Sequence, residues 1–438
     1  MSIVRPARRV AIAAVSLTAL LAAAACGGGG DGGAGGGTSA APAADLTKKG
    51  PIEVWQGKDS SGNFPKLVAQ FNADHPDEKV TFHELPDSAD TQRQQMIQNT
   101  QIKNPQMAVL SVDVVWTAEF AAKGYVEPLP ADQFPTDTFL PATVATATYF
   151  NKLYAYPSTS DGGLLYYRKD LLEKYNLKPP TTFDEMKTAC KTIQDGEKDS
   201  KLNCFAGQYN KYEGLTVNFA EAVNGAGGVI VGEDGKPNVA TPEATKGLET
   251  LASWFKDGTI PKGAITWQEE QGRQAFQNGN LIFHRNWGYV YSLAAKTDGS
   301  SKINGKYDVA PLPGITGPGV SSLGGHNYAI AKNAENKGTA VEFIKFMSSQ
   351  ATQKSNALAT SSSPTIASLY TDADLTKKYP YLPIQLKSIE NAKPRPIAVE
   401  YGDVTLAIQD AAYSALQGDT APDAALSSLQ TKLQGLIK

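Results

Sequence analysis

From residue 50 onward, short apolar runs alternate with amphipathic stretches along the chain. Residues 52–56 and 80–84 have the composition of strands, and 109–116 is a nearly continuous apolar run. The stretches between them, 64–71 and 91–102, carry apolar side chains at helical spacing. Continuous apolar runs are typical of parallel strands that are covered on both faces. The order strand, helix, strand, helix, strand therefore predicts a parallel α/β sheet.

Three proline-containing segments interrupt this pattern and predict irregular crossings of the chain. They lie at 154–161, 309–313 and 361–364. The composition of 164–167 predicts a strand that follows the first crossing, and 404–416 predicts a helix near the end of the chain. We expect the crossings to join separate parts of one folded body.

The first residues of the chain have the features of a secretory signal. Three arginines among the first nine residues precede the apolar run Val10–Ala25, and small residues come directly before Cys26. This pattern predicts a signal peptide at 1–25. A cysteine at such a junction resembles a bacterial lipobox, which implies that Cys26 is lipidated. Ala23 stands where that motif usually has leucine, and the alternative is a secreted protein whose cysteine falls there by chance.

The segment after the cysteine is rich in glycine, alanine and serine, and nearly lacks large apolar side chains. Such a segment cannot form a core, so 26–49 is predicted to be a flexible tether. An anchor followed by a tether predicts an exported protein that is held at the outer face of the cell membrane. Beyond the leader, no apolar stretch approaches the length of a membrane span.

Charge and cysteine content narrow the picture further. A net charge of −3 argues against a nucleic-acid ligand, because nucleic-acid binding requires a basic face. The two remaining cysteines, Cys190 and Cys204, are predicted to form a disulfide, because thiols in exported chains usually pair. The alternative is two isolated buried thiols.

Motifs for common catalytic sites are absent from the sequence. It has no GxSxG elbow, no HExxH motif and no phosphate-binding GxxxxGK[ST] loop. The four histidines lack the spacing of metal ligands, so neither a metal nor a cofactor is expected. Paired carboxylates for glycoside hydrolysis stay open, because their separation is a property of the folded chain.

Polar and aromatic residues nevertheless stand where α/β proteins bind small ligands. Asp113 follows an apolar strand, and ligands bind beyond the carboxyl ends of such strands. Asp161 precedes two glycines, although Asp-Gly also suits a plain turn. Trp287 follows an apolar triplet and is either a binding platform or a core residue. Arg395 lies between two prolines and is either a ligand contact or a solvated arginine.

Several segments together resemble the extracellular solute-binding proteins of carbohydrate ABC importers, with most similarity to the trehalose/maltose-binding branch. They run in order along nearly the whole body: 113–122 (DVVWTAEFAA), 161–172 (DGGLLYYRKDLL), 212–216 (YEGLT), 276–279 (FQNG), 285–289 (RNWGY), 311–314 (PLPG), 324–327 (GGHN) and 394–396 (PRP). The resemblance implies a periplasmic-binding-protein-like, type II-like α/β fold with two lobes and a hinge of several segments. With the predicted crossings, lobe 1 comprises 50–157 plus 310–360, and lobe 2 comprises 158–309 plus 361–438.

The resemblance also implies roles for individual residues. Asp113 and Asp161 match aspartates that bond sugar hydroxyls, and Trp287 matches a tryptophan that stacks on a sugar ring. Arg395 matches an arginine that reaches the ligand, and Gly325 is expected to offer backbone groups to the cleft.

Three further residues match the family pattern less well. Arg93 corresponds to another ligand-binding arginine through a short motif. Asp59 stands in Lys58-Asp59 where relatives have an acidic pair, and His326 replaces a tryptophan that could stack on the ligand. These departures leave open which sugar binds and in which orientation.

Together these features predict a monomeric, lipid-anchored receptor without enzyme activity. It would capture a mono-, di- or oligosaccharide, with a trehalose- or maltose-like sugar as the first expectation. It would then deliver the sugar to the permease subunits of an ABC importer and their ATPase. Two alternatives stay open: a surface-anchored glycoside hydrolase, and the same fold binding a non-sugar solute.

Overall fold

The computed structural model describes residues 44–437. The predicted signal peptide (1–25), the predicted lipidation of Cys26 and residues 26–43 of the predicted tether lie outside the described residues. Within 44–437, each helix is too short or too polar to cross a membrane.

The last residues of the predicted tether contact the folded body instead of extending from it. Leu46 packs against the hydrophobic core. The backbone N–H of Gly338 donates to the carbonyl of Lys48 at 2.8 Å, and the Lys48 ammonium lies 2.6 Å from Glu335. The prediction of a flexible tether up to residue 49 is therefore wrong for 46–48, because these residues gain an apolar contact and backbone hydrogen bonding.

Eleven strands and sixteen α-helices form within the described residues. The strands are β1 (Ile52–Gly57), β2 (Val80–Leu85), β3 (Met107–Asp113), β4 (Thr148–Tyr149), β5 (Lys152–Leu153), β6 (Tyr156–Gly162), β7 (Leu164–Arg168), β8 (Asn203–Ala206), β9 (Leu281–Asn286), β10 (Tyr307–Ala310) and β11 (Leu323–Ile330). The helices are α1 (Phe64–Asp74), α2 (Ala89–Gln101), α3 (Thr117–Ala122), α4 (Pro141–Thr146), α5 (Lys169–Lys174), α6 (Phe183–Glu197), α7 (Glu213–Gly225), α8 (Pro242–Asp257), α9 (Glu269–Gln277), α10 (Val290–Ala294), α11 (Lys337–Ser348), α12 (Gln350–Thr360), α13 (Ala373–Lys378), α14 (Leu382–Glu390), α15 (Tyr401–Gln417) and α16 (Pro422–Leu436). Two 3₁₀-helices, Lys262–Thr266 and Ala367–Thr371, complete the set.

The first sheet has the strand order β2-β1-β3-β11-β6. Strand β1 runs parallel to β2 and β3, as the apolar runs predict, and every residue of β3 is buried. Strand β11 is antiparallel to both β3 and β6, so the sheet is mixed. Helix α1 buries the four apolar residues whose spacing predicts it, and Phe71 packs edge-on against Phe343 of α11.

The predicted irregular segment at 154–161 is wrong, because residues 156–162 form strand β6. Pro157 is tolerated there since β6 lies at the edge of the sheet and pairs only with β11. The register also shifts between His326 and Asn327, opposite this proline. The chain leaves the first sheet at Gly163, because the next residue begins β7 of the second sheet.

The second sheet has the strand order β10-β7-β9-β8. Helix α6 is joined to β8 by a disulfide between Cys190 and Cys204, whose Cα atoms lie 5.2 Å apart. Helices α15 and α16 pack with α7 and α8, whereas α14 packs against β6 of the first sheet. The segment between α14 and α15 runs beside the start of β11, where Leu323 N–H donates to the Lys393 carbonyl at 2.9 Å. The lobe boundaries stay a prediction.

The disulfide closes a short loop, which makes its contribution to stability measurable. Its cysteines are 14 positions apart, and closing a loop of about 15 residues stabilises a fold by about 3 kcal/mol in the chain-entropy model. We expect the double variant Cys190→Ser/Cys204→Ser to lose stability of that order in urea unfolding. Dithiothreitol should lower the urea midpoint of the natural protein and leave that of the variant unchanged. Equal midpoints for both proteins, each with and without dithiothreitol, would contradict this expectation.

Candidate ligand-binding site

A cavity of about 350 Å³ lies between the two sheets. Its lining includes Asp113 and Gly325 from the first sheet, Trp287 after the last strand residue of β9, and Arg395 from the segment between α14 and α15. A concave site with apolar and polar walls of this size is typical of small-molecule binding.

Seven of the eight predicted ligand residues line this cavity. They are Asp59, Asp113, Asp161, Trp287, Gly325, His326 and Arg395. The eighth, Arg93, lies outside it and lines a second groove with residues of α15. Its guanidinium forms a two-pronged ion pair with Glu119, with Nε 2.7 Å from Oε2. Because Glu119 is buried and requires a cation, Arg93 is held away from the cavity.

The pairing of β3 with β11 brings three predicted residues together. His326 lies directly opposite Asp113 in the ladder. Gly325 has a φ of +115°, and a Cβ there would lie 2.2 Å from the carbonyl oxygen of Thr159. Only glycine fits this position. Burial lowers the pKa of His326, so its imidazole is neutral near pH 7 and can both donate and accept hydrogen bonds.

Arg395 is buried, contrary to the alternative of a solvated arginine. Its side chain is 2% exposed. One terminal nitrogen donates to Asp113 Oδ1 at 2.9 Å, and the other donates to Glu213. The Nε atom of Arg395 is buried without a hydrogen-bond partner. Arg395 thus links the end of β3 with the start of α7 through one guanidinium.

Glu213 is the centre of this hydrogen-bond network, although the sequence predicted no role for it. It begins α7 and accepts hydrogen bonds from Tyr401 at 2.6 Å and Thr405 at 2.7 Å, in addition to Arg395. Its backbone N–H donates to Asp90 of α2 at 2.9 Å. Burial raises the pKa of Glu213, and the Arg395 charge opposes that rise. The segment 212–216 belongs to the resemblance, but nothing in its local pattern points to these partners.

Trp287 is held in place on one face by a stacked cation. The Arg285 guanidinium lies 3.8 Å from the ring centroid and is itself bound to Glu221, with Nε 2.8 Å from Oε2. The ring edge packs against Gly324, where a Cβ would lie 2.9 Å from the indole. The side chain is only partly buried and lines the cavity. Trp287 is therefore a wall of the cavity rather than a core residue.

Asp161 lies near the end of β6, not in a turn. It pairs with Gly324 in the β6–β11 ladder, which places it beside Trp287. The Ser363 hydroxyl donates to its carboxylate at 3.2 Å. Desolvation raises the pKa of Asp161 to about 6, against the lowering effects of Ser363 and Arg285.

Asp59 lines the cavity, but its carboxylate is used within its own loop. One oxygen accepts from the backbone N–H of Ser61 at 2.9 Å, and the other accepts from that of Phe64 at 2.8 Å. These bonds satisfy backbone donors at the start of α1. Asp59 therefore orders the rim of the cavity.

The tertiary structure adds a second group of polar residues to the cavity wall. The Tyr212 hydroxyl donates to Glu269 at 2.7 Å, and the Tyr289 hydroxyl donates to Glu270 at 2.7 Å. Arg273 also binds Glu270, and its Nε atom lies 3.0 Å from each carboxylate oxygen of Glu270. Burial raises the pKa of Glu269. The sequence does show two adjacent glutamates at the start of a helix. This pattern does not by itself indicate a binding site, because acidic residues are common at helix N-termini.

Among residues 44–437, the side chains of His, Cys, Asp and Glu form no group of three or more that could hold a metal ion.

The raised pKa of Asp161 has a consequence for stability. The folded protein holds this proton up to about pH 6, whereas the ordinary value is 3.8, so the fold loses stability as the pH rises through this window. We compare the free energy of unfolding of Asp161→Asn with that of the natural protein. We expect the difference between them to change by about 2 kcal/mol in favour of the variant between pH 4 and pH 7.5. Unfolding of both proteins in urea at the two pH values measures this. A difference that is independent of pH would contradict the assignment.

Comparisons with known proteins agree with this architecture. Residues 56–354 match the family described as bacterial extracellular solute-binding protein. A probable ABC transporter-binding protein of Deinococcus radiodurans is 34% identical, over 89% of this chain and 90% of the relative. The galactooligosaccharide-binding protein of Bacillus subtilis is 25% identical, over 90% and 91%.

A solved structure supports the same relationship in three dimensions. The maltose-bound MalE3 of T. maritima superposes with a TM-score of 0.83 at 33% identity, covering 88% of this chain and 99% of that one. The predicted two-lobed, periplasmic-binding-protein-like α/β fold is confirmed. This chain belongs to the bacterial extracellular solute-binding proteins.

Proposed function

We propose that the protein captures a carbohydrate in the cavity and delivers it to the permease subunits of an ABC importer. The observation that carries this proposal is the fixed, partly exposed ring of Trp287 beside Asp161, with the Arg395–Asp113 pair in the same cavity. An aromatic face can cover the C–H face of a sugar ring, while carboxylates and arginine bond its hydroxyls. Relatives named for maltose, galactooligosaccharide and mannitol agree with this class of ligand.

Each residue has a distinct part in the proposed binding. Trp287 supplies apolar contact, and Asp161 accepts hydrogen bonds from hydroxyl groups. Arg395, which lines the cavity, donates to a hydroxyl oxygen, and the neutral His326 donates or accepts. Gly325 offers its backbone, since it has no side chain to fill the cavity. Ligand contacts made by both lobes at once favour the closed arrangement.

The protein acts outside the cytoplasm in this proposal, as a monomer anchored through lipidated Cys26. The anchor keeps the receptor near its permease, and the glycine-rich segment allows it to reorient. The glycoside hydrolase alternative has no support among the named relatives, which are binding proteins. Thermal unfolding with a panel of mono- and disaccharides tests the proposal, because a ligand raises the stability of the state that it binds. A shift with a peptide, polyamine or metal complex, and none with any sugar or polyol, would overturn it.

Removal of the Trp287 ring should weaken sugar binding. We expect Trp287→Ala to raise the Kd by at least tenfold, about 1.4 kcal/mol, because the apolar face for the sugar ring is lost. Calorimetric titration with the sugar that gives the largest thermal shift measures the change. Phe150→Ala is the control, since this ring is 82% exposed and does not line the cavity. Natural affinity in Trp287→Ala, with an intact fold, would mean that the ring takes no part in binding.

Loss of the junction cysteine should release the protein from the membrane. We expect Cys26→Ala to move the protein from the membrane fraction to the medium, because no lipid can be attached. The Cys190→Ser/Cys204→Ser variant is the matched control, as its substitutions lie in the folded body and leave Cys26 intact. Membrane retention of Cys26→Ala equal to that of the natural protein would refute the anchor.

A further inference from the structure

Two carboxylates of the cavity wall lack a cationic partner. Asp161 and Glu269 each accept a hydrogen bond from a neutral hydroxyl, of Ser363 and Tyr212 respectively. Among the described residues, neither has a lysine, arginine or histidine nitrogen within ion-pair distance of 4.0 Å. Burying an ionised carboxylate without a counter-charge is unfavourable.

The other carboxylates of the wall have partners within the protein. Asp113 and Glu213 share the single positive charge of Arg395, Glu270 is paired with Arg273, and Asp59 accepts from backbone N–H groups of its own loop. Asp87 lies 3.5 Å from the Lys58 ammonium. The nearby Arg285 offers no spare charge, since it forms a two-pronged pair with Glu221. The lining therefore has an excess of negative charge, and Asp161 and Glu269 contribute to it without a cation within 4.0 Å among the described residues.

Asp161 is a neighbour of Trp287, and Glu269 lines the same cavity. A Cβ built on Gly324 would lie 2.9 Å from the indole and 3.4 Å from the Cβ of Asp161, so these two side chains are close together. Glu269 is connected to the tryptophan through backbone groups: the Asn286 amide donates to the Glu269 carbonyl at 3.2 Å, and the Asn286 side-chain oxygen accepts from the backbone N–H of Trp287 at 2.8 Å. The negative face of an indole attracts cations, and nearby carboxylates add to that attraction.

A second feature of the cavity favours a ligand with hydroxyl groups. His326 lines the cavity, and its imidazole is neutral near pH 7 because burial lowers its pKa, so it can donate to or accept from a hydroxyl group. A ligand that suits both features of the lining thus combines hydroxyl groups with a positive charge. A protonated amino sugar has both.

We propose that the cavity selects a carbohydrate that bears a protonated amine, and that two carboxylates of its wall pair with this amine: Asp161, beside Trp287, and Glu269. This inference rests on the proposed function, of which it specifies the substrate class. Burial raises the pKa of both carboxylates, and a bound ammonium would offset that desolvation. Charge, not only hydroxyl geometry, then contributes to specificity.

Matched pairs of sugars test this directly. Glucosamine, galactosamine and mannosamine are titrated calorimetrically into the purified protein at pH 7.5, each beside its hydroxyl parent, with maltose as a further neutral sugar. We expect the amino sugar to bind at least tenfold more tightly than its parent in at least one pair. Asp161→Asn and Glu269→Gln should each reduce that preference to less than threefold, while the parent sugar loses less affinity.

The control variant is Asp195→Asn, which removes an exposed carboxylate of α6 that is paired with Lys191. This variant changes the net charge of the protein by the same amount as the two cavity variants, and it should keep the natural preference for the amino sugar over its parent. Thermal unfolding of each variant establishes that it is folded. Parent sugars that bind as tightly as, or more tightly than, their amines in all pairs would overturn the inference. So would binding of maltose alone, or a preference that persists in both cavity variants or is lost in Asp195→Asn.

The proposed function and this inference fail in different ways. Binding of neutral sugars without preference for amines leaves the proposed function intact and removes only the inference. Absence of binding by every sugar, neutral or amine-bearing, removes both.

Discussion

The buried guanidinium of Arg395 is the interaction on which the geometry of this protein depends. It pairs with Asp113 at the end of β3 and with Glu213 at the start of α7, so a single charge connects the first sheet with the helices α7, α8, α15 and α16, which pack together. Removing one member would leave an unpaired charge in a buried site, which is costly. Glu213 extends the network to Tyr401 and Thr405 of α15. The ion pairs of Arg395 with Asp113 and Glu213 hold the walls of the cavity in place relative to each other, because all three residues line it.

Close backbone approach is the second constraint. At Gly163, a Cβ would lie 2.8 Å from the Arg285 guanidinium, and at Gly324 it would meet the Trp287 ring. Gly325 combines a positive φ with contact to the carbonyl of Thr159. Larger residues at these points would displace either the arginine under the indole or the indole itself. The glycines therefore matter less for flexibility than for the room that they leave for Trp287.

The site retains groups that do not serve the stability of the empty protein. The carboxylates of Asp161 and Glu269 are desolvated, and among the described residues neither has a cation within 4.0 Å. Functional sites commonly keep such unfavourable features because a ligand satisfies them. The same residue, Asp161, is thus expected to lower stability near neutral pH and to contribute to binding.

Local patterns in the sequence were sufficient for much of the fold. The apolar spacing of Phe64 to Phe71 predicts α1, and the continuous apolar run that includes Val109 predicts a buried strand, because both signals depend only on neighbouring residues. Short motifs and the family resemblance indicated seven of the residues that line the cavity. Strand β6 was missed, since Pro157 favours irregular backbone unless the strand lies at a sheet edge, and edge position is not a local property.

The sequence by itself thus determined the class of fold, the pairing of its two late cysteines as an expectation, and a set of residues that could meet in a cleft. Only the tertiary structure decided which of them meet. Arg93 is drawn to the buried Glu119, whereas Glu213 and Glu269 enter the cavity wall from positions that looked unremarkable. The reason is physical: a charged side chain takes its role from the counter-charges and burial around it, and those come from residues distant in the chain.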